Sequence, residues 1–462
     1  MIPILEMAKL FTSRGVQTTI IVTPGFVETV ENARKSGLDI GIHVLKFPPE
    51  NSGLPEGITS IDQVRSDDIF PKFLKSMELL QEPVEKLLEE FRPNCLVADM
   101  FFPWATDAAA KFDIPRLVFY GTSFFALCGS EHMMTYEPYK NVSSDSEEFV
   151  VPNLPHQMKF TRTQVPDIHR LGIENEFTKL LTKVRETTAR SHGVLFNSFD
   201  ELEPDYADHY RKVLRRKAWH IGPFLLCNKG GEEYKSRRGE ESAIDEHECL
   251  EWLNSKEPNS VVYICFGSMA TFTPKQLHET AEGLEISGQK SIWVVRKGKN
   301  QENDQNENWL PEGFEERTKD KGLIIRGWAP QLLILENKAI GCFVTHCGWN
   351  STLEGVCSGL PMVTWPVFAE QFFNEKLVTE VLRIGVSVGS KQWKREGNEG
   401  VEREAIETAI RRIMEGEEGA EMRSRAREYK EKAKMAVEEG GSSYTDFSAL
   451  LQELIAYRPG VK

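Results

Sequence analysis

The passage from Gly341 to Val356 admits few folds. Gly341-Cys-Phe-Val-Thr-His346 is a short apolar run without polar alternation, and it reads as a strand buried in a parallel sheet. It stops at His346-Cys-Gly348, and Trp349-Asn350-Ser351-Thr352 then opens an amphipathic helix through Val356. Residues of this kind at a helix start leave backbone N–H groups pointing outward, at the positive end of the helix dipole. Such a strand–turn–helix unit is a site for phosphate. His346 falls at the strand's carboxyl end, where α/β sheets bind ligands.

The rest of the chain repeats this alternation. An apolar helix over Ile2–Ser13 precedes the β-like run Gln17–Thr23, a helix near Val27–Lys35 and a strand near Ile40–Phe47. A long helical stretch, Ser66–Phe91, carries Asp67-Asp68 in its first turn, as the dipole prefers. Cys95-Leu-Val-Ala-Asp99 reads as a buried strand ending in a carboxylate, followed by a helix over Pro103–Phe112 and the strand Arg116–Tyr120. Tyr136 to Pro166 is rich in Pro, Ser and Asn and has little periodicity, so it reads as a long excursion, either shaping a site or lying on the surface. A helix over Glu174–Arg190 and the strands Gly193–Asn197 and Trp219–Pro223 complete the half. Alternation of this sort implies right-handed βαβ units and a parallel sheet. Residues 228–246 are polar and charged, the best linker candidate. Ser260–Phe266, followed by Gly267-Ser268, restarts the alternation, and the tail from Glu402 is helical.

A chain of 462 residues suggests two or three domains. The net charge of −14 argues against nucleic acid or an anionic membrane as main partner. Eight cysteines lie apart with no CxxC pair and read as reduced thiols, which points to the cytosol. No apolar run approaches the roughly 18–20 residues that span a bilayer, and no signal-peptide pattern opens the chain. The sequons at Asn141 and Asn350 are therefore read as unmodified.

From Trp328 to Gln371 the chain reads WAPQLLILENKAIGCFVTHCGWNSTLEGVCSGLPMVTWPVFAEQ. From first position to last this resembles the donor-binding signature of plant family 1 UDP-dependent glycosyltransferases. WLPEGFEERTKDKGLIIRGWAPQ, VFAEQFFNEKLVTEVL and EEGGSSYT are most similar to their scopoletin and flavonoid glucosyltransferase subgroup. The resemblance implies the α/β fold called GT-B, two doubly wound Rossmann-like domains facing across a cleft. It divides the chain into an acceptor-binding domain (1–227), a linker (228–246), a UDP-sugar-binding domain (247–441) and a C-terminal helix (442–462) packing back on the first domain. It further implies an inverting transfer of glucose from UDP-glucose to a hydroxyl of a small aromatic acceptor, by a monomer that needs no metal or other cofactor.

Glucosyl transfer poses two electrostatic problems: charge grows on the leaving diphosphate, and the acceptor hydroxyl must lose its proton. His346 and the amides near Asn350 and Ser351 answer the first, with Ser268 as a second phosphate contact. By the resemblance, Trp328 stacks on uracil, Ala329 and Gln331 hold it, Glu354 binds the ribose hydroxyls, and Trp349, Glu370 and Gln371 hold the glucose. Taken singly, each has a plain alternative: a satisfied histidine, a core tryptophan, a solvated helix charge. For the second problem, relatives carry a GH-x-x-P element after a first strand, and its histidine is the general base. Met1-Ile2-Pro3-Ile4-Leu5 resembles the residues immediately after that histidine, so this strand and its base are expected ahead of Met1, in a longer polypeptide. Without them, backbone groups of two neighbouring strands would stand unpaired in the interior, each costing about 1–3 kcal/mol.

Asp99 matches the aspartate that orients the base. Its plain alternative is a cap on the helix after Pro103. Phe101, Trp104, Phe124 and Phe125 are candidates for an apolar acceptor pocket or for ordinary core. The competing function is a non-catalytic UDP-sugar-binding protein, with the donor half intact and no base.

Overall fold

Six parallel strands form the sheet of the second half: β9 (Val261–Cys265), β10 (Lys290–Val295), β11 (Gly322–Arg326), β12 (Ile340–Thr345), β13 (Met362–Thr364) and β14 (Gly385–Ser387). Their order is β11-β10-β9-β12-β13-β14, with the chain reversing direction across the sheet between β9 and β12. The computed structural model describes residues 1–35, 38–48, 51–64, 69–227, 242–295 and 309–457. The expected linker lies mostly outside them, as does Asp67-Asp68. Helices cover both faces, so Val261, Val262, Tyr263, Cys342 and Phe343 lose all contact with water. That is why these strands are continuous apolar runs rather than alternating ones.

The first half carries β1 (Thr18–Val22), β2 (Ile40–Val44), β3 (Leu96–Asp99), β4 (Arg116–Tyr120), a β5–β6 hairpin (Glu148–Val151 and Met158–Thr161), β7 (Gly193–Phe196) and β8 (Ala218–His220). β1 and β2 pair with each other, and β3-β4-β7-β8 form a separate parallel sheet. Among the described residues nothing pairs β1 with β3. The facing edges of β1 and β3 are thus unpaired with each other, as expected; Ile20 and Val22 of β1 are buried, while the residues of β3 and Thr18 and Ile21 of β1 keep some contact with water.

Two expectations change. The single helix expected over Ser66–Phe91 is two, Phe70–Glu78 and Gln81–Phe91. Pro83 is the reason: it has no N–H to give the carbonyl of Leu79, and its ring crowds that group. The excursion at 136–166 holds the β5–β6 hairpin, whose alternate residues Phe149, Val151, Met158 and Phe160 are buried. It reaches the second half, where Phe160 meets the ring of Phe373 at 4.9 Å and Thr163 accepts from the Trp393 amide at 2.9 Å.

The last helix, Ser442–Ala456, lies against the first half. Phe447 packs edge-on to Phe11 at 4.8 Å, and Asp446 accepts from the Arg211 guanidinium (2.6 Å) and the His220 amide (3.0 Å). Among the described residues no helix is long and apolar enough to cross a membrane.

Candidate active site

The residues singled out in the second half follow the carboxyl end of a parallel strand or begin the helix beyond it, except Glu354, which lies in the second turn of its helix. β12 runs in register with β9, Thr345 beside Cys265, so the loops Phe266–Ser268 and His346–Gly348 leave the sheet side by side. The His346 ring lies between two glycines. A Cβ on Gly267 would sit 2.7 Å from its Cε1, and one on Gly348 would sit 2.5 Å from its Nε2. Gly267 also has φ +70°, a conformation suited to glycine. The glycines are therefore a condition of the histidine's position. Burial holds the His346 imidazole down at about 4, so it is neutral at pH 7, and its Nδ1 is buried without a hydrogen-bond partner. Ser268 is exposed at the rim of the same loop.

The helix Trp349–Ser358 begins at Gly348, which has no side chain to cap it. The amides of its first turn have no acceptors within the helix. One of them, that of Trp349, donates to the Glu370 carboxylate. Asn350 is exposed and Ser351 nearly buried. Trp349 itself is buried, and its indole N–H donates to the carbonyl of Asn197 in the first half at 2.8 Å.

Gln331, at the start of the helix after β11, is central to a polar group. Its amide donates to the Glu354 carboxylate and to the Ser351 hydroxyl at 3.4 Å, and its carbonyl accepts from Tyr263 at 3.2 Å. Residues expected to hold a base and a ribose are thus joined on adjacent helices. Trp328 is half-buried beside them; its carbonyl accepts from the Ala243 amide at 2.8 Å, while that of buried Ala329 accepts from the Gln331 amide. After β13, the Gln371 side-chain oxygen accepts from the amides of Val367 (2.9 Å) and Phe368 (3.0 Å), which fixes the loop leading to Glu370. Burial pushes the Glu370 carboxyl up.

Across the interface, the first half contributes the carboxyl ends of β3, β4 and β7. Asp99 ends β3, and its Oδ1 accepts from the Phe101 amide at 3.0 Å. It closes a local turn and does not cap the helix Trp104–Ala110, which starts from Pro103. Burial pushes its carboxyl up, opposed by that amide and by charge on the Met1 amine and Arg116. Among the described residues no histidine hydrogen-bonds Asp99.

Phe124 and Phe125 are fully buried core; Phe124 stacks on Phe196 with ring centres 3.6 Å apart. Of the acceptor-pocket candidates, Phe101 and Trp104 line a cavity of about 390 Å³ between the helices Phe70–Glu78 and Glu176–Arg190. Sequence reasoning did not single out Ser123, Asn197 or Asn374, which join the two halves beside the His346 loop. Their partners are 251 and 152 residues away, so no local pattern marks them.

Comparison with known proteins agrees with this geometry. A family model described as UDP-glucoronosyl and UDP-glucosyl transferase matches residues 79–417. A scopoletin glucosyltransferase from Nicotiana tabacum is 59% identical over 461 residues, covering 99% of this chain and 96% of the relative. The crystal structure of a Glycyrrhiza uralensis glycosyltransferase complexed with glycyrrhetinic acid 3-O-monoglucuronide superposes with a TM-score of 0.90 at 41% identity, covering 98% of this chain and 93% of that one. A Phytolacca americana enzyme complexed with UDP-2-fluoro-glucose and pterostilbene gives 0.76 at 25% identity, covering 98% and 96%. With the donor stretch, the facing parallel sheets and these relatives together, the chain belongs to the plant family 1 UDP-glycosyltransferases and has their GT-B fold.

Proposed function

We propose that this protein transfers glucose from UDP-glucose, with inversion, to a hydroxyl of a small aromatic plant metabolite such as a flavonoid or hydroxycoumarin. One observation carries the donor side: a helix start whose N-cap glycine has no side chain, a neutral histidine and a joined Gln331–Ser351–Glu354 group all lie on the side of the carboxyl ends of one sheet. In this reading Trp328, Ala329 and Gln331 receive the uracil and Glu354 the ribose. The amides of Asn350 and Ser351, with His346 and Ser268, face the diphosphate. Glu370, Gln371 and Trp349 bound the glucose.

As the bond from the anomeric carbon to the diphosphate breaks, negative charge grows on the phosphate oxygens. The first-turn dipoles are already oriented toward it and need no rearrangement, which is the source of stabilisation. The acceptor oxygen attacks from the opposite face and gives up its proton. Asp99, at the carboxyl end of the first-half sheet, is the carboxylate that would orient an imidazole base for this proton and stabilise the charge the ring acquires. The protein acts as a cytosolic monomer without a metal.

A second reading, a UDP-sugar-binding protein without turnover, is favoured by one fact: no described histidine contacts Asp99. Incubation with UDP-glucose and a panel of flavonoids and hydroxycoumarins separates the two. A glucoside product supports the transferase, UDP binding without product supports the binder, and no UDP binding defeats both.

A further inference from the structure

We propose that Asn374 is a positioning residue that couples the acceptor half to the sugar and diphosphate end of the donor site. Asn374 lies beyond the donor stretch, in the helix Gln371–Lys376, and is completely buried. Its carboxamide makes three contacts in three directions. The side-chain oxygen accepts from the Ser123 hydroxyl at 3.1 Å, across the interface. The amide donates to the carbonyl of Cys347 at 2.8 Å and to Oε1 of Glu370 at 3.4 Å. One planar group thus touches the acceptor half, the turn that follows His346, and the carboxylate assigned to the glucose.

Each contact bears on geometry that has little other support. Cys347 has φ +63°, a left-handed conformation rare for a residue with a side chain. It is held there from two sides, by its own amide donating to the Thr345 hydroxyl at 3.3 Å and by Asn374 on its carbonyl. If the Asn374 bond is lost, Cys347 is free to relax toward ordinary backbone angles, carrying the neighbouring His346 ring with it. Ser123 is equally constrained: its oxygen also caps the helix Phe124–Tyr136 by accepting from the Ala126 amide at 2.9 Å. Its proton is thereby directed at Asn374. A donor on one side and two acceptors on the other leave the carboxamide one orientation, oxygen toward the acceptor half and nitrogen toward the donor site. A shift of the β4–helix junction on one side is transmitted to the His346 turn and to Glu370 on the other. The nucleoside end, built on Gln331, Ser351 and Glu354, does not touch Asn374, so it is spared.

This inference rests on the donor reading above, and the test separates the two. Asn374→Asp keeps the acceptor for Ser123 but removes both donated bonds; Ser123→Ala removes the inter-half bond together with the cap on the Ala126 amide, so for that variant exchange counts only at 347–349. For each variant and the parent, affinity is measured for UMP and for UDP-glucose, together with amide hydrogen exchange at residues 124–126 and 347–349. Asn374→Asp should weaken UDP-glucose at least tenfold with UMP within threefold, and should speed exchange in both segments; Ser123→Ala should move the same readouts in the same direction by less. Equal loss for UMP and UDP-glucose would mean a merely structural role and would overturn the proposal, as would unchanged exchange. Should Asn374→Asp fail to fold, Ser123→Ala decides by the same criteria. If the parent binds neither nucleotide, the donor reading is what fails, and coupled exchange at the two segments still decides whether Asn374 links them.

Discussion

The indole N–H of Trp349 donates to the backbone carbonyl of Asn197 at 2.8 Å, so the first residue of the donor-site helix is fastened to the opposite half of the molecule. Trp349→Phe keeps an aromatic ring but removes the donor and part of the buried indole, leaving a buried carbonyl without its partner at a cost of about 1–3 kcal/mol in addition to the lost packing. The expected outcome is a lower thermal midpoint together with weaker UDP-glucose binding. Calorimetric melting and a binding titration read both, and unchanged values in each would show that the contact is idle.

His346 gives a pH signature. Its free-state value of about 4 lies below the usual histidine value near 6.5, so the folded protein favours the neutral ring. A bound diphosphate stabilises the charged ring and raises that value, so binding should take up protons, and UDP affinity should increase as pH falls from 8 toward 6. Calorimetric titration at pH 6 in buffers of different ionisation heat measures the uptake directly; none at all would place His346 away from the phosphates. Without ligand the sign is opposite for stability. The contribution of the neutral buried ring is complete above the unfolded value near 6.5 and declines as pH falls toward 4.

Gly348→Ala tests the histidine's seat. The added methyl would arrive 2.5 Å from Nε2 of His346, well inside van der Waals contact, and either the ring or the turn has to move. UDP affinity should fall by about tenfold or more, equivalent to roughly 1.4 kcal/mol. A titration showing parental affinity in a folded variant would exclude His346 from the phosphate site.

Gln331 and Glu354 should behave as a pair. Each replacement by Ala is expected to weaken UDP by about 10- to 100-fold, and the double variant should lose less than the sum, because the two side chains are hydrogen-bonded. Strict additivity in a double-mutant cycle would contradict a shared role.

Asp99→Asn separates transfer from binding. Asp99 belongs to the first half, so UDP affinity should stay within about twofold. Glucoside formation should drop by roughly 10²–10⁴-fold if the carboxylate holds the base that accepts the acceptor's proton. Initial rates with a hydroxycoumarin acceptor measure it, and undiminished transfer would remove Asp99 from the mechanism.

The strand–turn–helix unit of the proposed donor site was legible because it is contiguous. Strand, turn and helix follow one another between Gly341 and Val356, and local rules of apolar runs and helix starts apply directly. The β4 boundaries, Arg116–Tyr120, were equally plain, because a buried parallel strand is a continuous apolar run. The β5–β6 hairpin was not. Its alternation of Phe149, Val151, Met158 and Phe160 is only two residues deep on each strand and is interrupted by Pro152 and Pro155. Phe124 and Phe125 stayed undecided for a different reason: aromatic residues after a strand suit a pocket or a core equally, and only packing against Phe196 and Tyr206 decides for the core. Contacts such as Ser123–Asn374 depend on the relative placement of two sheets, which no single stretch encodes.

The C-terminal helix, anchored on the first half by Asp446 and Phe447, means that the polypeptide passes between the halves twice. Two crossings resist twisting of one half against the other more than one would, and so help keep the faces bearing Asp99 and His346 aligned.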